Sequence, residues 1–244
     1  MTTGKRCIVL GGSGVVGRAL VRELTEAGAR VGFSYLSGES VARELGETCP
    51  GVSGLRIDLA DPVATEAGVV RLAGVLGGVD ALIHCAVKTS TCDPAKFDAI
   101  EEVDLGEWDR LMAINVKSAF VAARSLLPHF GAEGGNVLLF GSVDGIKPVP
   151  TPVPYAASKA AGRGLVLSLA KALGKHRICV NMVAPGVLEA GASRTLPDDL
   201  RAEYLRHAGL RRVGKVSEVT GLATWLALEN TYVTGQVILV DGGL

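Results

Sequence analysis

The chain of 244 residues has no apolar stretch near the eighteen or so residues that a membrane-spanning helix requires. Its first residues, Met-Thr-Thr-Gly-Lys, run directly into a strand pattern, so a soluble cytoplasmic protein is expected. An excess of charge of either sign is also missing. The 25 Lys and Arg balance 25 Asp and Glu, and nothing in the overall charge recruits nucleic acid or an anionic membrane. A small molecule is the expected partner. Cysteine is sparse: Cys7, Cys49, Cys85, Cys92 and Cys179 include no Cys-x-x-Cys pair and no Cys/His spacing of a zinc site. They read as reduced intracellular thiols, and no metal site is expected. Internal repeats and linkers are absent too, so residues 1–244 are expected to form one domain, a size that suits a single α/β unit with a substantial core.

What the chain does have is a series of seven short apolar runs, at 7–10, 31–35, 55–59, 81–86, 137–140, 178–183 and 237–240. None alternates cleanly. Strands buried on both faces read this way, as in a parallel sheet covered by helices. Helix-like segments lie between them, at 15–28, 40–47, 62–76, 107–130, 155–174 and 217–229. The βαβα order predicts right-handed crossovers and a doubly wound, parallel, seven-stranded sheet with helices on both faces, its ligand lying beyond the carboxyl ends of the strands. The least regular stretches, 87–106, 143–154 and 186–215, are expected to wall that site.

Gly12, Gly14 and Gly17 have the Gly-x-Gly-x-x-Gly spacing between the first strand and the first helix, the context in which this motif means dinucleotide binding. Missing side chains let backbone N–H groups approach a pyrophosphate, and the helix N-terminus adds a favourable dipole. A purely structural turn is the alternative. The region closing the second strand, Phe33-Ser34-Tyr35-Leu36-Ser37, has no acid to hold the ribose 2′-hydroxyl of NAD. Its absence favours NADP(H), although no arginine is obviously supplied for the 2′-phosphate, and NAD(H) stays open. Asp58, near the end of the third run, could bond an adenine amino group or act as a turn cap.

Tyr155 and Lys159 stand four residues apart on a helical segment and so share a face, which lets the Lys159 ammonium favour ionisation of the Tyr155 phenol. A Tyr-x-x-x-basic pair arises easily by chance. Its company raises its weight: Ser142 follows the apolar run 137–140, and Asn115 lies inside a long helical segment whose interior disfavours asparagine. The set outlines a hydride-transfer enzyme.

With Ile57-Asp58-Leu59, Asn115-Val116, Gly141-Ser142-Val143, Tyr155-Ala156-Ala157-Ser158-Lys159-Ala160, Val180-Asn181-Met182-Val183-Ala184-Pro185-Gly186, Thr234-Gly235-Gln236-Val237 and Asp241-Gly242-Gly243 in that order, the chain from residue 5 onward resembles the short-chain dehydrogenase/reductases. It is most similar to the compact branch that contains the 3-oxoacyl-acyl-carrier-protein reductases. The resemblance implies a Rossmann-type domain in which Tyr155 protonates the substrate oxygen, Ser142 holds it, Lys159 bonds the nicotinamide ribose and Asn115 orders a relay water. It assigns cofactor contact to Gly11, Ser13, Gly14, Val16 and Gly17 in the glycine loop, to Ser34 and Tyr35 in the second strand, and to Asp58 and Leu59 after the third. Cys85, Ala86 and Val87, Tyr155 and Lys159 themselves, and Pro185, Gly186 and Leu188 complete the set. The implied activity is NADP(H)-dependent reduction of a ketone, such as a 3-oxoacyl thioester, to a secondary alcohol. An NAD-linked alcohol dehydrogenase and a cofactor-binding subunit with little activity are the alternatives. A homotetramer or homodimer is also implied.

The chain departs from the family pattern at several points. Leu10 and Val15 replace a threonine and a glycine of the loop, and His84-Cys85-Ala86-Val87 replaces Asn-Asn-Ala-Gly. His84 reads as a packed substitute for the structural asparagine. The stretch Val187-Leu188-Glu189-Ala190 has no threonine, which removes one cofactor hydrogen bond worth about 1 kcal/mol. Pro148, Pro150, Pro152 and Pro154 alternate before Tyr155, predicting a stiff apolar wall at the substrate mouth. Residues 88–107 form a longer segment than in the compact reductases, either a cover for the site or an inert insertion. Lys171, Lys175, His176 and Arg177 could meet an acidic carrier protein or simply complement a helix dipole.

Overall fold

A computed structural model describes residues 4–89, 97–191, 193 and 196–244. In chain order the elements are β1 (Arg6–Leu10), α1 (Val15–Glu26), β2 (Arg30–Tyr35), α2 (Glu39–Thr48), β3 (Ser53–Arg56), α3 (Pro62–Leu76) and β4 (Ala81–His84). There follow α4 (Leu105–Met112), α5 (Ser118–Leu126), β5 (Gly135–Phe140), α6 (Val153–Leu173), β6 (Ile178–Pro185), α7 (Asp198–His207), α8 (Val216–Leu228) and β7 (Val237–Val240). The strands form one sheet in the order β3-β2-β1-β4-β5-β6-β7, and every neighbouring pair is parallel.

The five inner strands, β2, β1, β4, β5 and β6, are buried on both faces, which is why they show no apolar–polar alternation, whereas the edge strands β3 and β7 are only partly covered. In β1, Ile8 and Leu10 join one core with Leu72 and Leu76 of α3, Leu126 of α5 and Val166 of α6. Cys7 and Val9 point the other way, into a second core with Leu20 and Leu24 of α1, Leu45 of α2 and Leu226 of α8. Strand order reverses between β1 and β4, so the loops after these two strands diverge and leave a crevice at the carboxyl edge. Among the described residues no helix is long and apolar enough to cross a membrane.

Three elements differ from the sequence expectation. The third strand stops at Arg56 because Asp58 turns the chain: its Oδ1 accepts the Ala60 N–H at 2.9 Å. Asp61 then caps α3 by accepting from Val63 N–H at 2.8 Å, with Pro62 in the first turn. The helix expected over 107–130 is four pieces, since Ala113–Lys117 between α4 and α5 is a π-helical turn and Leu127–His129 after α5 is a 3-10 turn. Asn115 sits in the π turn, so the poor helix former coincides with the break rather than a regular interior. The stretch 186–215, expected to be irregular, contains α7. The site-covering role of residues 88–107 falls partly on 90–96, which lie outside the described residues.

Candidate active site

A cleft of about 580 Å³ opens at the carboxyl edge of the sheet, between the glycine loop, the loop after β5, the start of α6 and the loop after β6. Gly14 is the residue before α1, and no side chain caps the helix start. The glycines divide their labour. A Cβ at Gly17 would lie 2.1 Å from the Gly11 carbonyl oxygen, and one at Gly11 would lie 2.6 Å from Ala86 Cα, so both allow close packing. A Cβ at Gly14 would meet only the Gly11 oxygen, at 3.3 Å, and this position faces the cleft. The result is an open cradle of backbone N–H groups at a helix N-terminus, a shape that fits a pyrophosphate. Val15, in the place of the family glycine, and Val87, 44% exposed, both line the cleft.

Of the cofactor positions expected from sequence, Gly14, Val16, Gly17, Cys85, Val87, Tyr155, Lys159, Pro185, Gly186 and Leu188 line this cleft. Ser34 is buried behind the loop: its Oγ accepts from Gly11 N–H at 3.0 Å and its carbonyl from Gly12 N–H at 2.8 Å. Ser13 donates to the Ser37 carbonyl at 2.9 Å, tying the loop to the end of β2. Leu59 is a core residue and Ala86 packs against the same core. Tyr35 lies opposite Arg56 in the β2–β3 register, and Arg56 Nε donates to the Leu36 carbonyl at 3.2 Å. That arginine was missed in the sequence because it belongs to the neighbouring strand. Its signal is the register of two parallel strands.

Tyr155 and Lys159 lie in the first two turns of α6, and Lys159 Nζ is 5.6 Å from the Tyr155 ring centroid. Lys159 is buried and donates to the Phe140 carbonyl at 3.1 Å, so the end of β5 orients the ammonium. Burial pulls the Lys159 pKa down to about 8, against the opposing charge of Asp144. Tyr155 departs from expectation: its phenol is held above its ordinary value, by burial first and then by the charge of Asp144, with a hydrogen bond to Ser142 opposing. Desolvation, rather than the cation one turn away, therefore sets the protonation of this phenol.

Ser142 follows β5, and its hydroxyl donates to the carboxylate of Asp144. Asp144 also lines the cleft, its pKa raised by burial and opposed by the Ser142 bond and the Lys159 charge. This loop rests directly on α6 because Gly145 has no side chain; a Cβ there would lie 2.5 Å from the Ala160 nitrogen. Lys147, on the same loop, binds Asp241 Oδ2 at 2.6 Å and the Leu244 oxygen.

Asn115 does not reach the cleft. It stands behind it, accepting from Lys88 N–H at 2.8 Å and donating to the Lys88 carbonyl at 3.0 Å and to Ser158 Oγ at 2.9 Å. Ser158 in turn donates to the Tyr155 carbonyl at 2.8 Å. His84 is also structural. Ser118 donates its proton to the Ile114 carbonyl at 2.6 Å, so it accepts from His84 Nε2, 2.7 Å away, and fixes that tautomer. Burial first, then the Lys159 charge, lowers the His84 pKa to about 4 and keeps the ring neutral. The bond pins β4 to the start of α5, directly after the π turn that carries Asn115.

The basic cluster lies elsewhere. Lys175, His176 and Arg177 precede β6 and neighbour Gly131 and Ala132, at the sheet edge opposite the cleft, with Arg177 3.7 Å from Glu133. They do not flank the entrance.

A family model described as enoyl-(acyl carrier protein) reductase matches residues 12–244. The chain is 31% identical to a 3-oxoacyl-[acyl-carrier-protein] reductase of Chlamydia muridarum, over all of this chain and 98% of that protein. It is 34% identical to the cyclic-di-GMP-binding biofilm dispersal mediator protein of Escherichia coli, over 98% of this chain and 97% of that one. A short-chain dehydrogenase from Burkholderia cenocepacia, solved in complex with NADP, superposes with a TM-score of 0.88 at 28% identity, covering 99% of this chain and 98% of its own. The chain belongs to the short-chain dehydrogenase/reductase family, oxidoreductases acting on CH–OH and C=O groups.

Proposed function

We propose that the chain is an NADP(H)-dependent ketoreductase that reduces a ketone, such as a 3-oxoacyl thioester, to the secondary alcohol. The observation that carries this reading is the convergence of Tyr155, Ser142 and Lys159 on one cleft floored by an open glycine cradle. The 3-oxoacyl reductase relative and the NADP-bound neighbour support it. The first-turn N–H groups of α1, left open by the missing side chain of Gly14, would hold the pyrophosphate, the residues after β4 and β6 would flank the nicotinamide, and Lys159 would hold its ribose. Arg56, beside the acid-free end of β2, supports NADP(H) over NAD(H), because its guanidinium would be available to a 2′-phosphate there.

When bound, the reduced nicotinamide supplies the hydride. The Tyr155 phenol, held protonated, gives its proton to the carbonyl oxygen as negative charge develops there. Ser142 braces the same oxygen. Lys159, with a pKa near 8, exchanges a proton in the working range and supports reprotonation of Tyr155. Val143, Pro152, Leu188 and Leu196 give the cleft apolar walls suited to an acyl chain. Exposed Phe120 on α5 and Leu167 on α6 support a homo-oligomer.

Calorimetry with NADPH and NADH, followed by turnover on a 3-oxoacyl thioester panel with wild type and Tyr155→Phe, tests the reading. NADPH should bind more tightly, and the phenylalanine variant should lose about 10²–10⁴ in kcat. No heat with either nucleotide, or unchanged turnover in Tyr155→Phe, sinks it. A second reading, oxidation of a secondary alcohol, is favoured by one observation: Ser142 directs its proton to Asp144 and offers a substrate only lone pairs.

A further inference from the structure

The serine that is to hold a carbonyl oxygen has one hydroxyl proton, and in this structure that proton goes to the carboxylate of Asp144. The Asp144 backbone N–H lies 3.4 Å from the same oxygen. We propose that Asp144 is a positioning residue that sets which way Ser142 directs its proton, and thereby which direction of hydride transfer the site favours. The inference deepens the ketoreductase reading and rests on it.

The geometry distinguishes two states. With Asp144 ionised, Ser142 donates to it and presents lone pairs to the cleft, which suits a substrate alcohol whose O–H must be accepted. With Asp144 protonated, the carboxyl O–H donates to Ser142 Oγ, and the serine proton is free to donate to a carbonyl oxygen. Reduction then transfers a hydride to carbon and the Tyr155 proton to oxygen, while Ser142 donates a hydrogen bond and keeps its proton. Oxidation reverses both transfers.

The surroundings make both states accessible. Lys159 and Tyr155 face Asp144 from α6, the ionised Tyr155 phenol competes with Asp144 for the single Ser142 proton, and Cys85, after β4, lies beside Lys159 with its thiol held protonated by burial. Lys147, the other charge on the loop, is committed to Asp241. Burial favours the protonated carboxyl, and the Ser142 bond and Lys159 charge favour the ionised one, so neither state is forced.

The test compares pH profiles of kcat/KM in both directions for wild type, Asp144→Asn and Ser142→Ala, each first checked for a cooperative thermal melt. The asparagine amide donates to Ser142 as a protonated carboxyl would and cannot ionise. Asp144→Asn should therefore lose the fall in reduction with rising pH and slow alcohol oxidation by about tenfold. Because Asp144 acts through Ser142, adding Asp144→Asn to Ser142→Ala should change neither profile further. A wild-type profile in Asp144→Asn overturns the proposal.

A second measurement needs no turnover. Infrared difference spectra against pH follow the protonated carboxyl band, assigned by its loss in Asp144→Asn. Its midpoint should move to higher pH in Ser142→Ala, which removes a bond that stabilises the carboxylate; an unmoved midpoint overturns the coupling. A wild type that reduces and oxidises nothing would sink the ketoreductase reading, while the infrared result would still decide whether Asp144 and Ser142 are linked.

Discussion

Asn115 holds both backbone groups of Lys88, accepting from its N–H at 2.8 Å and donating to its carbonyl at 3.0 Å. This is the pairing one strand residue gives another, made instead by a side chain from a π turn. It fastens the segment after β4, and through Ser158 it also fastens the backbone of Tyr155. Asn115→Ala removes both bonds to Lys88 and the one to Ser158 and should cost roughly 3 kcal/mol of stability, three hydrogen bonds at about 1 kcal/mol each. Urea denaturation measures that loss, and nucleotide affinity should weaken with it because Val87 precedes Lys88 in the cleft wall.

His84 predicts an acid limb of stability. Its folded pKa, about 4, lies below the ordinary 6.5, so the unfolded chain binds the extra proton first as pH falls. Stability is therefore complete above 6.5 and declines toward 4, by up to about 3 kcal/mol for this one group. His84→Asn should flatten that limb between pH 6.5 and 4.5, as read by thermal melts across the range. An unchanged limb would mean that other groups govern acid sensitivity.

Lys159→Met should separate activity from stability. The lysine is buried, and its pKa falls from 10.5 to about 8, so the folded state carries a penalty that is full below pH 8 and is relieved as pH rises toward 10.5. Methionine removes the penalty and also the bond to the Phe140 carbonyl, leaving a net gain of about 1–2 kcal/mol at pH 7. That gain should shrink by pH 10.5, while kcat falls at least about a hundredfold. Equal melting temperatures for the two proteins at pH 7 would refute the buried-charge penalty.

Arg56→Ala should weaken NADPH binding about tenfold and leave NADH binding within about twofold, since only the former presents a 2′-phosphate. Titration by nucleotide fluorescence checks this. Equal losses for both nucleotides would show that Arg56 supports the end of β2 rather than reading the phosphate.

Much of the architecture was legible in the residue order. Six of the seven apolar runs fall on strands of the parallel sheet and the third overlaps only the end of β3, while the spacing Asp61-Pro62 to Gly77 bounds α3 by local cap chemistry alone. The pairing of Tyr155 with Lys159 was legible for the same reason, since both residues sit on one helix. Asp144 was not, because a carboxylate two residues beyond a serine usually faces water. Arg56 was hidden by a strand pairing, and the split at Asn115 by a long apolar pattern that reads as one helix.

What the amino-acid order determined by itself is whatever depends on neighbours a few positions apart: the strand and helix succession, the glycine turn, and the shared face of Tyr155 and Lys159. Only the tertiary structure decided the protonation balance, because burial and the approach of Asp144 come from elements that meet across the cleft. Local spacing sets which groups are adjacent, whereas the solvent excluded by distant segments sets the energy of charging them. The phenol that spacing alone would make more acidic is therefore held protonated, and the basic cluster, which the residue order left open as either a carrier-protein contact or a dipole complement, lies at the edge of the sheet opposite the cleft.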